Sequence, residues 1–291
     1  MASPLATLLA KALGSPVTGS RPMRGGDIAD VSCLTLKDGR KVVAKRPRAD
    51  QPDTTATEAM MLRHLREKSP LPVPEVLFQS AGILVMAHIP HAGMSDARKA
   101  AESAAAHIAA LHGCVSEDKA KPYGFGEDTY IGPLGQRNKK ASDWVSFFRD
   151  HRLLAMAQSC ARTSRFDTAM MARIEALAGK VSALLPKAPP ASLLHGDLWA
   201  GNMLIDGDRV AGFIDPAISY GHAEMDLAFI ALMGGLDTSF FDVYAAHRAM
   251  EPGFFEDRMA LYQLWPLLVH VRLFGGGYVG QVSHILDRFG V

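Results

Sequence analysis

Cysteine is scarce: Cys33, Cys114 and Cys160 are the only three in 291 residues, odd in number and without metal-ligand spacing. That excludes a disulfide-framed secreted scaffold and a thiolate zinc centre, and fits free thiols in a reducing cytosol. No charge of one sign dominates, with 31 Lys and Arg against 30 Asp and Glu. Hence no overall field steers the chain to nucleic acid or an acidic membrane, and no basic stripe or aromatic platform offers a nucleic-acid surface. A long apolar run is missing too: the late stretch L-W-P-L-L-V-H-V-R-L-F is broken by Pro266, His270 and Arg272, wrong for a membrane span. The opening M-A-S-P-L-A-T-L-L-A-K-A-L-G has no basic region before its apolar residues. It reads as a short amphipathic helix closed by Gly14 rather than a signal peptide. The eleven histidines make no H-E-x-x-H. His107 and His112 are spaced off one helix face, and His88 and His91 have no third ligand nearby. The expectation is a cytoplasmic protein, monomeric rather than obligately oligomeric, with neither membrane nor nucleic acid as partner.

What is present is a hydrophobic content of 48%, ample for a core. From Val31 the chain alternates as V-S-C-L-T-L, turns at K-D-G-R and returns as K-V-V-A-K, a hairpin whose Asp38-Gly39 turn calls for positive φ at both positions. A helix follows from about Thr55, where Thr55-x-x-Glu58 has capping-box form, and then E-V-L-F-Q and I-L-V-M-A give another strand pair. After Pro90 the pattern turns helical: a long Ala-rich helix capped by Ser95 and ending near Gly113, a second from Asp143 to Ala157, a third from Phe166 to Leu185. Short strands then flank Gly207-Asp208, and the chain is mostly helical and apolar from Met225. The fold class expected is α+β: a small antiparallel β lobe over 1–88 with one main helix, and a larger, mainly helical lobe over 89–291.

The most informative segment is H-G-D-L-W-A-G-N-M-L-I-D-G-D-R-V-A-G-F-I-D, from His195 to Asp215. Transfer of a γ-phosphoryl group needs a carboxylate to receive the acceptor hydroxyl, oxygen ligands for magnesium and a cation on the phosphates. Asp197 can be that carboxylate, Asn202 a magnesium ligand, and Asp215, returned by the 203–214 hairpin, the principal one; hard oxygens without Cys or His suit magnesium. Each alone would more often be an ordinary loop or strand-end residue. Lys45, closing V-V-A-K, sits where a kinase places its phosphate-binding lysine. Glu58 can pair with Lys45 or complete the capping box with Thr55, not both, and the ion pair is the preferred reading. Gly25 and Gly26 would let the backbone of R-G-G-D-I-A-D approach phosphate, with Asp27 an awkward carboxylate there. The segment V-M-A-H-I-P, with Met86, Ala87, His88 and Ile89, would be the adenine-binding hinge. His195 reads as a structural anchor of the catalytic loop.

H-G-D-L-W-A-G-N followed by F-I-D-P-A resembles the fructosamine kinase (ketosamine-3-kinase) family, a relative of the aminoglycoside and choline kinases. G-G-x-I, the helix beginning at Glu58, L-V-M before the hinge, D-W-V-S-F-F-R at 143–149 and L-Y-Q-L-W-P-L-L-V-H extend the likeness along nearly the whole chain. The resemblance implies a bilobal protein-kinase-like fold and ATP- and Mg2+-dependent phosphorylation of the sugar 3-hydroxyl of ketosamines. The acceptor would be a small ketosamine or a glycated protein, and the outcome deglycation. It places the base on Asp197, magnesium on Asn202 and Asp215, and the phosphate lysine on Lys45. Trp199 would wall the sugar, and Glu224 could attract a cationic substrate amine or serve structure alone. Three departures stand out: Asp27 where many members have Cys, Y-G-H-A-E-M-D for W-G-D-R-E-x-D, and Ala87 for an acidic hinge residue. His222 and Ala223 thus replace an acid and a base on the expected substrate side. A kinase for another small hydroxyl compound, or an inactive kinase-fold scaffold, is the alternative.

Overall fold

A computed structural model describes residues 4–23 and 29–291; the sequence-predicted loop glycines Gly25 and Gly26, and Asp27, lie outside the described residues. Helix α1 (Pro4–Leu13) ends at Gly14, whose φ of 70° reverses the chain. Strands β1 (Val17–Pro22), β2 (Ala29–Leu36) and β3 (Lys41–Pro47), helix α2 (Thr55–Lys68), and strands β4 (Val76–Ser80) and β5 (Ile83–Ala87) follow. The strands form one antiparallel sheet in the order β1-β2-β3-β5-β4. β1 was not legible in the sequence, being polar and mostly exposed. The β2–β3 hairpin has the expected ends but another turn: Gly39 has φ 87°, whereas Asp38 stays at negative φ. Asp38 instead accepts hydrogen bonds from the Arg40 backbone N–H and guanidinium, at 2.7–3.0 Å.

Strand periodicity decides which face each side chain meets. Val42, Ala44, Ile83 and Val85 point to one face, where they pack with Leu34, Leu36 and α1's Leu9 and Leu13. Leu84 and Met86 point to the other, joining Met61, Leu62 and Leu65 of α2 in the main core. Lys45, in register with Leu84, therefore faces the α2 side. Helix α2 starts as expected but without the capping box: Asp53 accepts from the Thr55 N–H at 3.0 Å and its hydroxyl at 2.6 Å. That contact leaves Glu58 free for another partner.

Beyond β5 come β6 (Gly93–Met94) and α3 (Ala97–Gly113), capped by Asp96 rather than Ser95 because the Asp96 carboxylate reaches the Lys99 N–H at 3.1 Å. The hairpin β7 (Thr129–Ile131) and β8 (Leu134–Gln136) precedes α4 (Trp144–Phe148), capped by Asp143. A π-helical stretch, Arg149–Leu154, joins α4 to α5 (Ala155–Arg162), so the helix expected over Asp143 to Ala157 is an interrupted rod ending later. Then follow α6 (Thr168–Leu184), β9 (Ser192–Leu194), β10 (Met203–Gly207), β11 (Arg209–Phe213), β12 (Ser219–Gly221), α7 (Glu224–Met233), α8 (Ser239–His247), α9 (Met259–Phe274) and α10 (Gly277–Arg288). β10 pairs antiparallel with β11 and parallel with β6, and β12 pairs with β9. An antiparallel sheet thus precedes a mainly helical part, as the α+β reading expects. Among the described residues, no helix is long and apolar enough to cross a membrane.

Candidate active site

A cavity of about 800 Å3 lies between the sheet and the β10–β11 hairpin. Into it run Lys45 from β3, Glu58 from α2, Met86 and Ala87 from β5, His88 and Ile89 after it, and Asp197, Trp199, Asn202 and Asp215. Lys45 Nζ lies 2.8 Å from Glu58 Oε2 and 2.8 Å from Asp215 Oδ1, joining residues far apart in the chain.

The loop from His195 to Asn202 is built on backbone constraints. Gly196 has φ 83°, and a Cβ there would sit 2.0 Å from the Ala217 carbonyl oxygen, so glycine is required. Asp226, on α7, accepts the N–H groups of His195 at 2.8 Å and Gly196 at 2.9 Å, which pins the loop from beneath. His112 Nε2 is 3.2 Å from the same carboxylate, and its Nδ1 is 2.8 Å from the Tyr244 hydroxyl. Because a carboxylate only accepts, Nε2 is the nitrogen that donates to Asp226.

Farther along, the Asn202 Nδ2 donates to the Asp197 carbonyl at 2.8 Å and its carboxylate at 3.0 Å. The hairpin closes when the Ile214 N–H reaches the Asn202 carbonyl at 3.0 Å, bringing Asp215 next to Asn202. Asp215 holds φ 54°, a left-handed conformation uncommon outside glycine and a recurrent mark of functional sites.

The fructosamine kinase family model matches residues 1–290. The chain belongs to the fructosamine kinase family. A probable ketoamine kinase of Enterococcus faecium is 37% identical over 186 residues, covering 64% of this chain and 65% of that protein. The chloroplastic protein-ribulosamine 3-kinase of rice (Oryza sativa subsp. indica) is 30% identical over 290 residues, covering 97% of this chain and 82% of that one. The first of these alignments thus spans slightly under two thirds of the relative. A crystal structure from Thermobifida fusca, described as a candidate fructosamine-3-kinase, superposes with a TM-score of 0.86 at 29% identity, covering 99% and 100% of the chains. An aminoglycoside phosphotransferase solved with ADP and hygromycin B, at 15% identity and TM-score 0.69, shares the kinase-like fold.

The electrostatics of this family member follow from burial. Burial works against the Lys45 ammonium, but Glu58 and Asp215 outweigh it and hold the proton above the ordinary lysine value. Burial also works to raise Asp215, and contact with Lys45 outweighs it, leaving that carboxyl below the ordinary range. Asp197 has no cation in contact among the described residues. Burial pushes its carboxyl from an ordinary 3.8 up to about 7, with the Asn202 hydrogen bond opposing and Asp215 and Asp226 adding to the rise. His195 is fully buried, and burial lowers its pKa, keeping the ring neutral.

Glu224 is not brought to the cavity. It is 4% exposed and held bidentate by Arg258, at 2.6 and 2.7 Å. The expected substrate contact is corrected to a buried ion pair, because its carboxylate is spent on that guanidinium. His222 is buried as well, 2.8 Å from the Tyr262 hydroxyl, so the departure at 222 lies in the interior. Trp199 does line the cavity, with its ring folded over Gly201: a Cβ there would come within 2.2 Å of the indole. Sequence reasoning did not find Tyr130 or Phe274 as lining residues. Phe274 is 54% exposed yet borders the cavity, and nothing in L-F-G-G-G separates it from a helix-end core residue. Asp226, the last residue of Y-G-H-A-E-M-D, shows its hold on two backbone N–H groups only in the tertiary structure.

Proposed function

We propose that the protein is an ATP-dependent kinase that phosphorylates the sugar 3-hydroxyl of ketosamines, fructosamine or ribulosamine adducts of amines, and so promotes deglycation. The carrying observation is the convergence of the Lys45–Glu58–Asp215 ion triad and the Asp197–Asn202 pair on one cavity, in a fructosamine kinase family chain.

In this reading the adenine sits against Met86 and the hinge. The Ala87 N–H is committed to the Glu75 carbonyl at 2.8 Å, so the backbone of His88 and Ile89 meets the base. Lys45, held protonated, meets the phosphates, and Glu58 keeps its ammonium from swinging away. Asp215 and Asn202 suit magnesium: they offer hard oxygens, and Asn202 spends its NH2 on Asp197, which leaves Oδ1 for a metal. Bound there, magnesium would neutralise charge on the phosphoryl oxygens.

Asp197 orients the acceptor hydroxyl and receives its proton as the oxygen attacks phosphorus. A carboxyl lifted toward neutral pH is a stronger base than an ordinary one, provided it is ionised. Trp199, Tyr130 and Phe274 give the acceptor end an aromatic border. With Glu224 committed to Arg258, a cationic amine would meet π faces there.

The test is ADP release with Mg-ATP and a small fructosamine or ribulosamine, wild type against Asp197→Asn. Turnover that falls by orders of magnitude in the variant supports acceptor and base together. Nucleotide binding without ketosamine turnover would overturn the acceptor, and turnover unchanged in Asp197→Asn would overturn the base.

A further inference from the structure

A second cavity, of about 270 Å3, lies beside the β7–β8 hairpin and, among the described residues, shares no lining residue with the cleft. Its polar lining comes from four elements: Arg137 just after β8, His151 in the π-helical stretch, Ser159 and Arg162 on α5, and Arg272 on α9, with Trp265 as an apolar wall. No Asp or Glu lines it among the described residues. Arg272 Nε donates to Ser159 Oγ at 3.2 Å. The guanidinium groups of Arg137 and Arg162 have no hydrogen-bond or ion-pair partner among the described residues. His151 Nδ1 is buried and likewise unpartnered.

A fourth arginine, not itself a lining residue, stacks on Trp265 of the wall. Arg152 is 1% exposed, its guanidinium 5.1 Å from the Trp265 ring centroid and 4.7 Å from that of Phe147. Among the described residues, its hydrogen bonds go to neutral acceptors: the carbonyls of Arg137 and His151, Asn138 Oδ1 and Ser219 Oγ. A buried cation without a carboxylate in contact is costly, and burial lowers Arg152 to about 9. Asp128, out of contact, offsets part of that burial with its charge. Asp150 is bound to Arg149 at 2.7 Å, and Asp128 accepts the Asn138 N–H at 2.8 Å.

Arg137 and Arg162 are exposed and Arg272 half-buried, so each is hydrated on its own, but with no carboxylate lining the hollow among the described residues an anion there would meet their combined positive field. The guanidinium fork matches the oxygens of a phosphate, and the volume holds a phosphate with a small organic group attached. We infer that this cavity is a binding site for a phosphate-class anion, distinct from the nucleotide cleft. The same hairpin contributes Tyr130 and Gly132 to the cleft, and Phe274 follows Arg272 by two residues. An anion held by Arg137 and Arg272 therefore ties together two segments that border the acceptor end. The inference does not depend on which acceptor is phosphorylated.

The experiment is a titration of the full chain with inorganic phosphate at constant ionic strength, the cleft first saturated with Mg-ADP, read by thermal midpoint and 31P linewidth. Wild type should show a saturable response. Arg137→Gln and Arg272→Gln should each weaken half-saturation at least tenfold while folding normally. If Arg272→Gln loses its fold with the Ser159 bond, Arg162→Gln, on an exposed helix end, gives the same reading. A non-saturable wild-type response, or variants that respond like wild type, would overturn the site. Initial rates then name the anion's source: phosphate competing with acceptor marks a phosphorylated acceptor, and phosphate indifferent to acceptor marks a free anion.

Discussion

Replacing Asp197 by Asn should stabilise the ligand-free protein while removing its activity. The carboxyl has few compensating donors beyond Asn202, and its folded-state value of about 7 stands well above the ordinary 3.8. That rise from 3.8 to about 7 corresponds to a ceiling of ~4 kcal/mol. The sign follows from which state binds the proton more tightly. The folded chain does, so the associated stability is full below pH 3.8 and is lost as pH climbs through about 7. The substituted amide carries no charge to desolvate and can keep the Asn202 bond through its oxygen. The gain from substitution should be small near pH 4, grow with pH and level off above 7. Because the side chain is partly exposed to the cleft, we expect ~1–3 kcal/mol of the ceiling at pH 8, a few degrees in Tm. Scanning calorimetry of both proteins from pH 5 to 8.5 in EDTA, without nucleotide, measures this directly. A variant no more stable than wild type at pH 8, or a difference flat across the range, would refute the reasoning. In the coupled assay the same variant should lose about 10²–10⁴ in kcat, the usual reach of a general base.

Three further outcomes are expected. Glu224→Gln leaves the Arg258 guanidinium buried without its charge partner, so chemical denaturation should show a loss of about 3–5 kcal/mol; the acceptor KM should not move, and a selective KM rise would restore Glu224 to the substrate site. Gly201→Ala places a methyl within 2.2 Å of the Trp199 indole. Steady-state kinetics should then show a higher acceptor KM with the ATP KM unchanged, and equal effects on both would mean the loop as a whole had shifted. His222 is held down to about 3 by burial, with Arg258 adding to the effect. Its stabilisation is present above the ordinary histidine value of 6.5 and lost as pH falls toward 3, at about 1.4 kcal/mol per unit. His222→Asn, read by urea unfolding between pH 4 and 7, should flatten that slope.

Much of the site was legible because its groups lie on short, locally determined pieces of chain. Asp197 and Asn202 share one loop, and the hairpin signalled by Gly207-Asp208 returns Asp215 to Asn202 through a single backbone bond. Strand alternation in K-V-V-A-K already sets Lys45 on the face opposite Val42 and Ala44. The contacts at the helix starts were read less well, since Ser95 and Asp96, or Thr55 and Asp53, offer competing side chains and only the final geometry chooses. The turn at Asp38-Gly39 departed from the two-residue form because Arg40 recruits the Asp38 carboxylate.

Residue order alone determined the fold class, the strand carrying Lys45 and the loop carrying Asp197 and Asn202, since periodicity and turn chemistry act within a few residues. Tertiary structure alone decided the long-range partners. Glu58 was free to choose Lys45 over the helix cap once Asp53 had taken Thr55. Glu224 went to Arg258 in the interior, and Asp226 took the N–H groups of His195 and Gly196. Those choices depend on which charge each buried carboxylate meets, and contact between residues on separate elements exists only after the chain has packed.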